Sequence, residues 1–370
     1  MLKQTVFHDF HIQHNARMVD FAGWDMPLLY KNAGIIAEHI HTRTAASIFD
    51  VSHMGRVKFT GKDSGAFLSR ILTRNIEKSA PGQSMYSLVC NDQGGILDDV
   101  IVSRYDAAGT HWLMVCNASN REKILAWCET QKATLKMTVA ISDETFDTSM
   151  VAIQGPKAVA MLDALLPEPL SSLKRYHFEV QKYMMIVSFS VFRSGYTGED
   201  GAEIILGNTA AGMAMKFLTQ GGEETAILKP AGLGARDTLR MEAGMPLYGH
   251  ELSEQTDPLS ASLAWAVDLN KNFIGVEALR KIHAAGLKRK LVGLLLDGPR
   301  SARQGMAVLS NDKNAGEITS ATSSPTLKRP IAIAYIDAAL AAPGTPLTVN
   351  LGATTTAATV TPLPFYKKPK

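Results

Sequence analysis

The chain has 370 residues, 46% hydrophobic and 20% charged, an ordinary globular balance in a chain long enough for two or three domains. A net charge of +3 is too small for a nucleic-acid footprint, and the longest apolar stretch, near Tyr183 to Phe192, is too short to span a bilayer. Three widely spaced cysteines (Cys90, Cys116, Cys128) argue against a disulfide framework; with no signal-peptide core in Met1 to Thr5, a cytoplasmic location is expected.

Phe7 to Arg17 reads as a short helix leading into Met18 to Phe21, and Ile35 to Ala46 has helical spacing before Ile48 to Val51. The segment Tyr86 to Val102 says most. Two apolar runs flank Asp92 to Gly95, so a β-hairpin is expected. Its second run is apolar on both faces, yet carries Asp98 on one and Asp99 on the other. A carboxylate inside such a strand loses hydration, which a partner or a proton must offset. One reading makes one Asp solvent-facing and ties the other to a backbone amide; the second gives a carboxylate to chemistry. A four-residue loop sets Leu88 opposite Asp99 and puts Tyr86 and Asp99 on one face, a wall for a flat polar ligand, whereas a three-residue loop would turn Tyr86 away.

Val115 to Asn117 ends a strand, and Ser119-Asn120-Arg121-Glu122 reads as a capping box opening a helix through Trp127, with Asn117 at a junction that often faces a cleft. Met150 to Gln154 is a strand stopped by Gly155-Pro156, a helix follows to Leu165, and Tyr183 to Val191 reads as one strand. Beyond about Lys288 the composition changes. Leu291 to Leu296, Gly305 to Leu309, Gly316 to Thr319, Ile331 to Ile336 and Thr348 to Val360 suggest strands of a small separate β-barrel or sandwich. The expected fold is an α+β body with an all-β C-terminal domain.

Among candidate chemistries, His8, His11 and His14 lack the HExxH form and read as an exposed helix face, so no metal site is expected. His53, in Ser52-His53-Met54-Gly55, reads as a satisfied turn histidine in preference to an acid/base group. No GxSxG elbow or Walker A loop is present, and Gly232 to Asp237 has Asp where a dinucleotide fingerprint needs its third glycine. Ser194 to Ile204 is a glycine-punctuated loop with three acids and Tyr196, entering a strand. Pro230 to Asp237 looks like a helix entry with Arg236 set to reach a cleft or to pair with Asp237 or Glu242. Lys288-Arg289-Lys290 reads as a solvated cluster or a contact for an acidic partner.

Several long strings then occur in order. Arg17 to Pro27, Phe49-Asp50-Val51-Ser52-His53-Met54-Gly55, Gly94-Gly95-Ile96-Leu97-Asp98-Asp99, Gly195 to Gly201 and Pro230 to Asp237 resemble the glycine cleavage system T-protein family, and the resemblance runs nearly the whole chain. It implies two intertwined α+β domains (1–55 with 140–280, and an inserted 56–139) followed by a β-barrel domain over 288–370. It also implies tetrahydrofolate as cosubstrate and an aminomethyl group delivered on the lipoyl arm of the H-protein, among the other glycine cleavage components. The products are ammonia, 5,10-methylenetetrahydrofolate and dihydrolipoyl H-protein, with no nucleic acid or membrane involved.

By matching position, the resemblance makes Asp99 the catalytic acid near the folate N10 and Glu203 the pterin-binding carboxylate. Met54, Tyr86, Asn117 and Tyr196 become lining residues, and Arg236 the cation at the glutamyl end. Two positions depart from relatives: Lys367 stands where some carry Arg, and Ser103 where some carry Tyr shortly after the catalytic Asp. A folate-dependent demethylase shares this fold and pterin site. So does a non-catalytic folate-binding helper, but its Lys-Gly-Cys-Tyr string is replaced here by Arg193-Ser194-Gly195-Tyr196.

Overall fold

The fold is that of a computed structural model and is described for residues 1–219 and 227–368. In chain order the helices are α1 (His8–Gln13), α2 (Gly34–Thr44), α3 (Ser64–Ile71), α4 (Arg121–Leu135), α5 (Ala158–Asp163), α6 (Asn208–Thr219), α7 (Leu233–Glu242) and α8 (Val276–Ala285). Strands β1 (Ala16–Phe21) and β2 (Trp24–Tyr30) precede β3 (Ala46–Asp50), β4 (Gly55–Thr60), β5 (Ser84–Cys90), β6 (Ile96–Arg104), β7 (His111–Cys116) and β8 (Ala140–Asp143). Then come β9 (Thr148–Gln154), β10 (Phe178–Tyr183), β11 (Val187–Phe192), β12 (Gly201–Gly207) and β13 (Leu228–Pro230). The last six are β14 (Arg289–Leu296), β15 (Ala307–Ser310), β16 (Lys313–Ser324), β17 (Arg329–Asp337), β18 (Pro346–Asn350) and β19 (Thr355–Thr361). The chain divides into two compact units: unit 1 holds 1–67, 76–85 and 100–237, and unit 2 holds 68–75, 86–99 and 238–370.

In unit 1, six strands pair in the order β10-β11-β12-β9-β3-β13, antiparallel except for β13 beside β3. Alternate positions of its central strands (Ile48, Val151, Ile153, Ile204, Leu206) bury into one core with Leu162 of α5 and Ala211 and Met215 of α6. The period of two supplies one apolar face, and short amphipathic helices cover it. A second sheet has the order β5-β6-β7-β4-β8, and its strands β5 and β6 run on into unit 2 as the hairpin.

Unit 2 contains a closed barrel, β14-β17-β16-β15-β18-β19, sealed because β14 pairs with both β17 and β19. Val292, Leu294, Ile318, Ala334, Ile336, Val349 and Val360 fill its interior, as a six-stranded barrel requires. Register shifts in β15 and β16 supply the bends that closure needs. The run Thr348 to Val360, expected as one strand, is split between β18 and β19.

Four other local expectations are corrected. The first helix stops at Gln13 because Asn15 turns left-handed (φ 58°) and opens β1. His11 is not on an exposed face: it is 1% exposed, with Nε2 3.0 Å from Asp50 Oδ2 and Nδ1 2.8 Å from the Tyr30 hydroxyl. Tyr183 to Val191 is two strands, because Met184 and Met185 both adopt positive φ in a tight turn that an apolar run conceals. The capping box is also absent. A 3-10 turn (Ala118–Asn120) leads into α4 without a side-chain cap, and the helix runs past Trp127 to Leu135.

Candidate active site

The hairpin closes more tightly than its sequence suggests. Asn91 N–H donates to the Gly95 carbonyl at 2.9 Å and Gly94 N–H to the Asn91 carbonyl at 3.0 Å. The loop is therefore the three residues Asp92 to Gly94, with Gly94 in the left-handed position (φ +81°) that such a loop demands. Tyr86 nevertheless shares a face with Asp99: its hydroxyl donates to Asp99 Oδ2 at 3.1 Å. At the far end the Ser84 and Ser103 hydroxyls meet at 2.8 Å, the same offset as Leu88 opposite Asp99. The strands thus slip by one residue between turn and base, which restores the shared face that the loop alone would forbid.

Asp98 is fully buried, whereas Asp99 is only partly so. The Tyr86 ring stacks on Trp265 (centroids 5.3 Å apart, 27° between planes), and the Arg74 guanidinium lies 5.8 Å over the same indole. Trp265 is 60% exposed, an unusual state for so large an apolar ring. Sequence reasoning missed it: Ala264-Trp265-Ala266 carries no motif, and exposure is invisible without the fold.

In unit 1 a second group gathers around β12. Of the three acids in and after the glycine-rich loop, two are structural. Glu199 pairs with Arg43 at 2.9 Å and Asp200 with Arg193 at 3.0 Å. Glu203 instead accepts the Ser194 hydroxyl and stands beside the positive charge of Arg236. Gly195 is required here, since a Cβ would fall 1.9 Å from Gln154 Oε1. Arg236, at the start of α7, lies 4.9 Å over the Tyr196 ring. Burial depresses its pKa, opposed by the nearby Glu203 anion, and its buried Nη1 has no hydrogen-bond partner.

Met54 and His53 sit on the loop after β3. Arg56, fully buried, clamps that loop with Nη1 on the carbonyls of Ser52 (3.1 Å) and Met54 (2.6 Å), while Nη2 reaches the Thr148 carbonyl at 2.9 Å. His53 is 3% exposed, packs edge-on against Phe21 at 5.4 Å, and leaves Nδ1 unpartnered. It is therefore not the satisfied turn histidine expected. Asn117 is half-buried just before the 3-10 turn, at the exit of β7. Elsewhere in unit 1, a cleft of about 190 Å³ is lined by Tyr105, His111 and Lys58 and includes none of the expected site residues. No cluster of three or more metal-ligating side chains occurs among the described residues.

The state of His53 has a measurable consequence. Burial pushes its pKa down to about 4; Asp50 opposes the shift, and the Arg236 and Arg56 cations add to it. An unfolded histidine titrates near 6.5, so between about pH 6.5 and 4 the unfolded chain holds the extra proton and stability falls as pH falls. At about 1.4 kcal/mol per unit, His53→Gln is expected to remove up to about 3 kcal/mol of acid-induced destabilisation by pH 4. Urea unfolding of both proteins at pH 7.5 and pH 4.5 checks this; parallel losses in the two would show that His53 is not the source.

In unit 2 a carboxylate is bonded to a tyrosine stacked on an exposed indole, and in unit 1 a second carboxylate lies beside a half-buried arginine. The GCVT N-terminal domain matches residues 7–271, and the glycine cleavage T-protein C-terminal barrel domain matches residues 289–367. The chain is 44% identical to the aminomethyltransferase of Rubrobacter xylanophilus over 99% of its own length and 95% of that protein's. It is 41% identical to the aminomethyltransferase of Caldanaerobacter subterraneus, over 99% and 96% of the two chains. The crystal structure of glycine cleavage system aminomethyltransferase T from Bartonella henselae superposes with a TM-score of 0.91 at 32% identity, covering 100% of this chain and 99% of that one. The chain belongs to the glycine cleavage T-protein family, and its activity is that of an aminomethyltransferase of the glycine cleavage system.

Proposed function

We propose that the acceptor is tetrahydrofolate, that the aminomethyl group arrives on a lipoylated H-protein among the other glycine cleavage components, and that the protein works in the cytoplasm as part of one-carbon metabolism. The observation that carries this reading is the Tyr86 hydroxyl bonded to Asp99 beside the exposed Trp265 ring. A flat heteroaromatic substrate needs such a surface, and a carbon that turns iminium-like as ammonia leaves needs an ionised carboxylate close to it. Asp99 fills that role. It orients the folate nitrogen that attacks and balances the charge on the carbon that the nitrogen captures.

Glu203 takes the neighbouring N–H donors of the pterin in bidentate fashion. Met54, Asn117 and Tyr196 line the ring, and Arg236 supplies a cation. The unpartnered Arg236 Nη1 supports a polar ligand, since a buried donor left unmade costs about 1–3 kcal/mol. The same reading divides the chain into 1–55 with 140–280, an inserted 56–139, and 288–370. The test is formation of 5,10-methylenetetrahydrofolate from aminomethylated H-protein. Methyl transfer from a small amine without H-protein would move the assignment to a demethylase. Glu203→Gln is expected to weaken folate binding about 10- to 100-fold, because a charge-assisted bidentate contact becomes a single neutral one. Titration calorimetry checks it, and undiminished affinity would remove Glu203 from the pterin site.

A further inference from the structure

The cleft of about 190 Å³ in unit 1 holds none of the residues assigned above to the reacting site. It lies between the two sheets of that unit. Arg56 and Lys58 of β4 alternate onto one wall with His111 and Leu113 of β7, since Lys58 stands opposite Leu113 in the register. Ser188 and Ser190 of β11, with Ile205 of β12 opposite Ser190, make the facing wall. The Tyr105 and Ser190 hydroxyls meet at 3.0 Å, and the Tyr105 ring stacks on His111 with centroids 4.6 Å apart and 24° between planes. Tyr105 therefore ties the two walls together.

The charges of this cleft do not balance. Arg56 is fully buried and makes five hydrogen bonds to backbone carbonyls and the Thr148 hydroxyl, so it contributes positive charge and no spare donor. Lys58 pairs with Glu144 at 3.1 Å, one contact for an ammonium with three donors. The His111 ring nitrogens have no hydrogen-bond partner among the described residues. Two fixed cations thus face one anion. Burial and the Lys58 charge hold His111 below its ordinary pKa, while Asp106 and Glu144 oppose them. Leu113 and Ile205 make opposite walls apolar, so the lining offers a charged end and a hydrocarbon end.

We propose that this cleft is a second ligand site, for a small aliphatic carboxylate whose head is held by Lys58 and His111 and whose body packs between Leu113 and Ile205. A carboxylate supplies the negative charge that the lining lacks and the acceptors that Lys58 and His111 can use. A phosphate would leave the apolar walls wet, and a zwitterion would add a cation where positive charge is already in surplus. The inference does not rest on the folate reading.

The test is titration calorimetry of the full chain with 4-methylpentanoate, its neutral amide, leucine and inorganic phosphate. The acid is expected to bind about tenfold more tightly than the amide, which keeps the shape and loses the charge. Lys58→Met is expected to weaken the acid by about tenfold, because the ammonium is gone and Glu144 stays as a lone anion on the wall. Glu144→Gln is expected to act in the opposite direction and tighten the acid about threefold, because Lys58 is released from its partner. Excess folic acid is expected to leave the acid bound, and the His111 Cε1 proton resonance to move on binding. No binding of the acid by the wild type, equal binding of acid and amide, or displacement by folic acid overturns the inference even if no variant folds. Undiminished binding by Lys58→Met does the same. Tighter binding of leucine would show Glu144 taking an ammonium and assign the cleft to amino acids, and tighter binding of phosphate would assign it to bare oxyanions; either result overturns the carboxylate assignment.

Discussion

Asp99→Asn is expected to lower turnover by about 10²- to 10³-fold, roughly 3–4 kcal/mol on the barrier, while folate binding changes little. The amide keeps the size of the carboxylate and still accepts the Tyr86 hydroxyl, now 3.1 Å away, so the hairpin persists. What disappears is the negative charge, which matters most as the transferred carbon becomes cationic. An interaction made mainly in the transition state lowers kcat and kcat/KM together. Asp98→Asn is the matching control. Asp98 is fully buried on the opposite face of β6, so its loss is expected in stability and not in the chemical step. Both variants are assayed for methylene-tetrahydrofolate formation under saturating folate and H-protein. A normal Asp99→Asn rate beside a crippled Asp98→Asn rate would show the wrong carboxylate had been chosen.

The alternation of Ile48, Val151, Ile153, Ile204 and Leu206 was readable as strands, and the turn-rich tail beyond Lys288 as a small β domain, because periodicity follows directly from burial on one face. Turns were harder. The Met184-Met185 turn uses left-handed residues that carry no glycine signal, and the hairpin at Asp92 to Gly94 corrects its register by a slip that only coordinates reveal. In the site, the string around Asp99 was legible, and Glu203 and Arg236 were picked out by resemblance. Two facts had no trace in the sequence. Trp265 is exposed because of where its 3-10 turn falls, and His53 is buried with its Nδ1 lacking a hydrogen-bond partner. Such properties depend on packing between residues distant in sequence, and a local pattern does not encode them.

Arg240→Met is expected to be the most damaging single change to the stability of unit 2. Arg240 is 1% exposed on α7, and its Nη1 donates to Glu251 Oε2 at 2.8 Å while Nη2 donates to Ser320 Oγ at 2.8 Å. Glu251 is fully buried and also accepts Leu247 N–H (2.9 Å) and the Thr319 hydroxyl (2.6 Å). Methionine fits the stem of the arginine but leaves the Glu251 anion in a low-dielectric interior without its cation. Removing one partner of such a pair costs about 3–5 kcal/mol, whereas replacing both with apolar groups is often close to neutral. Arg240→Met combined with Glu251→Leu is therefore expected to recover more than half of the loss, the remainder reflecting Leu247 N–H left without its acceptor, since the Thr319 hydroxyl still reaches the Ile333 carbonyl at 3.0 Å. Urea midpoints of wild type, both single variants and the double variant form a complete cycle. A double variant as unstable as the sum of the singles would mean that the two side chains contribute independently. A double variant close to wild type would locate the cost in the stranded charge, and would imply that the buried pair sets the geometry with which α7 meets β16 more than it adds to the stability of that contact.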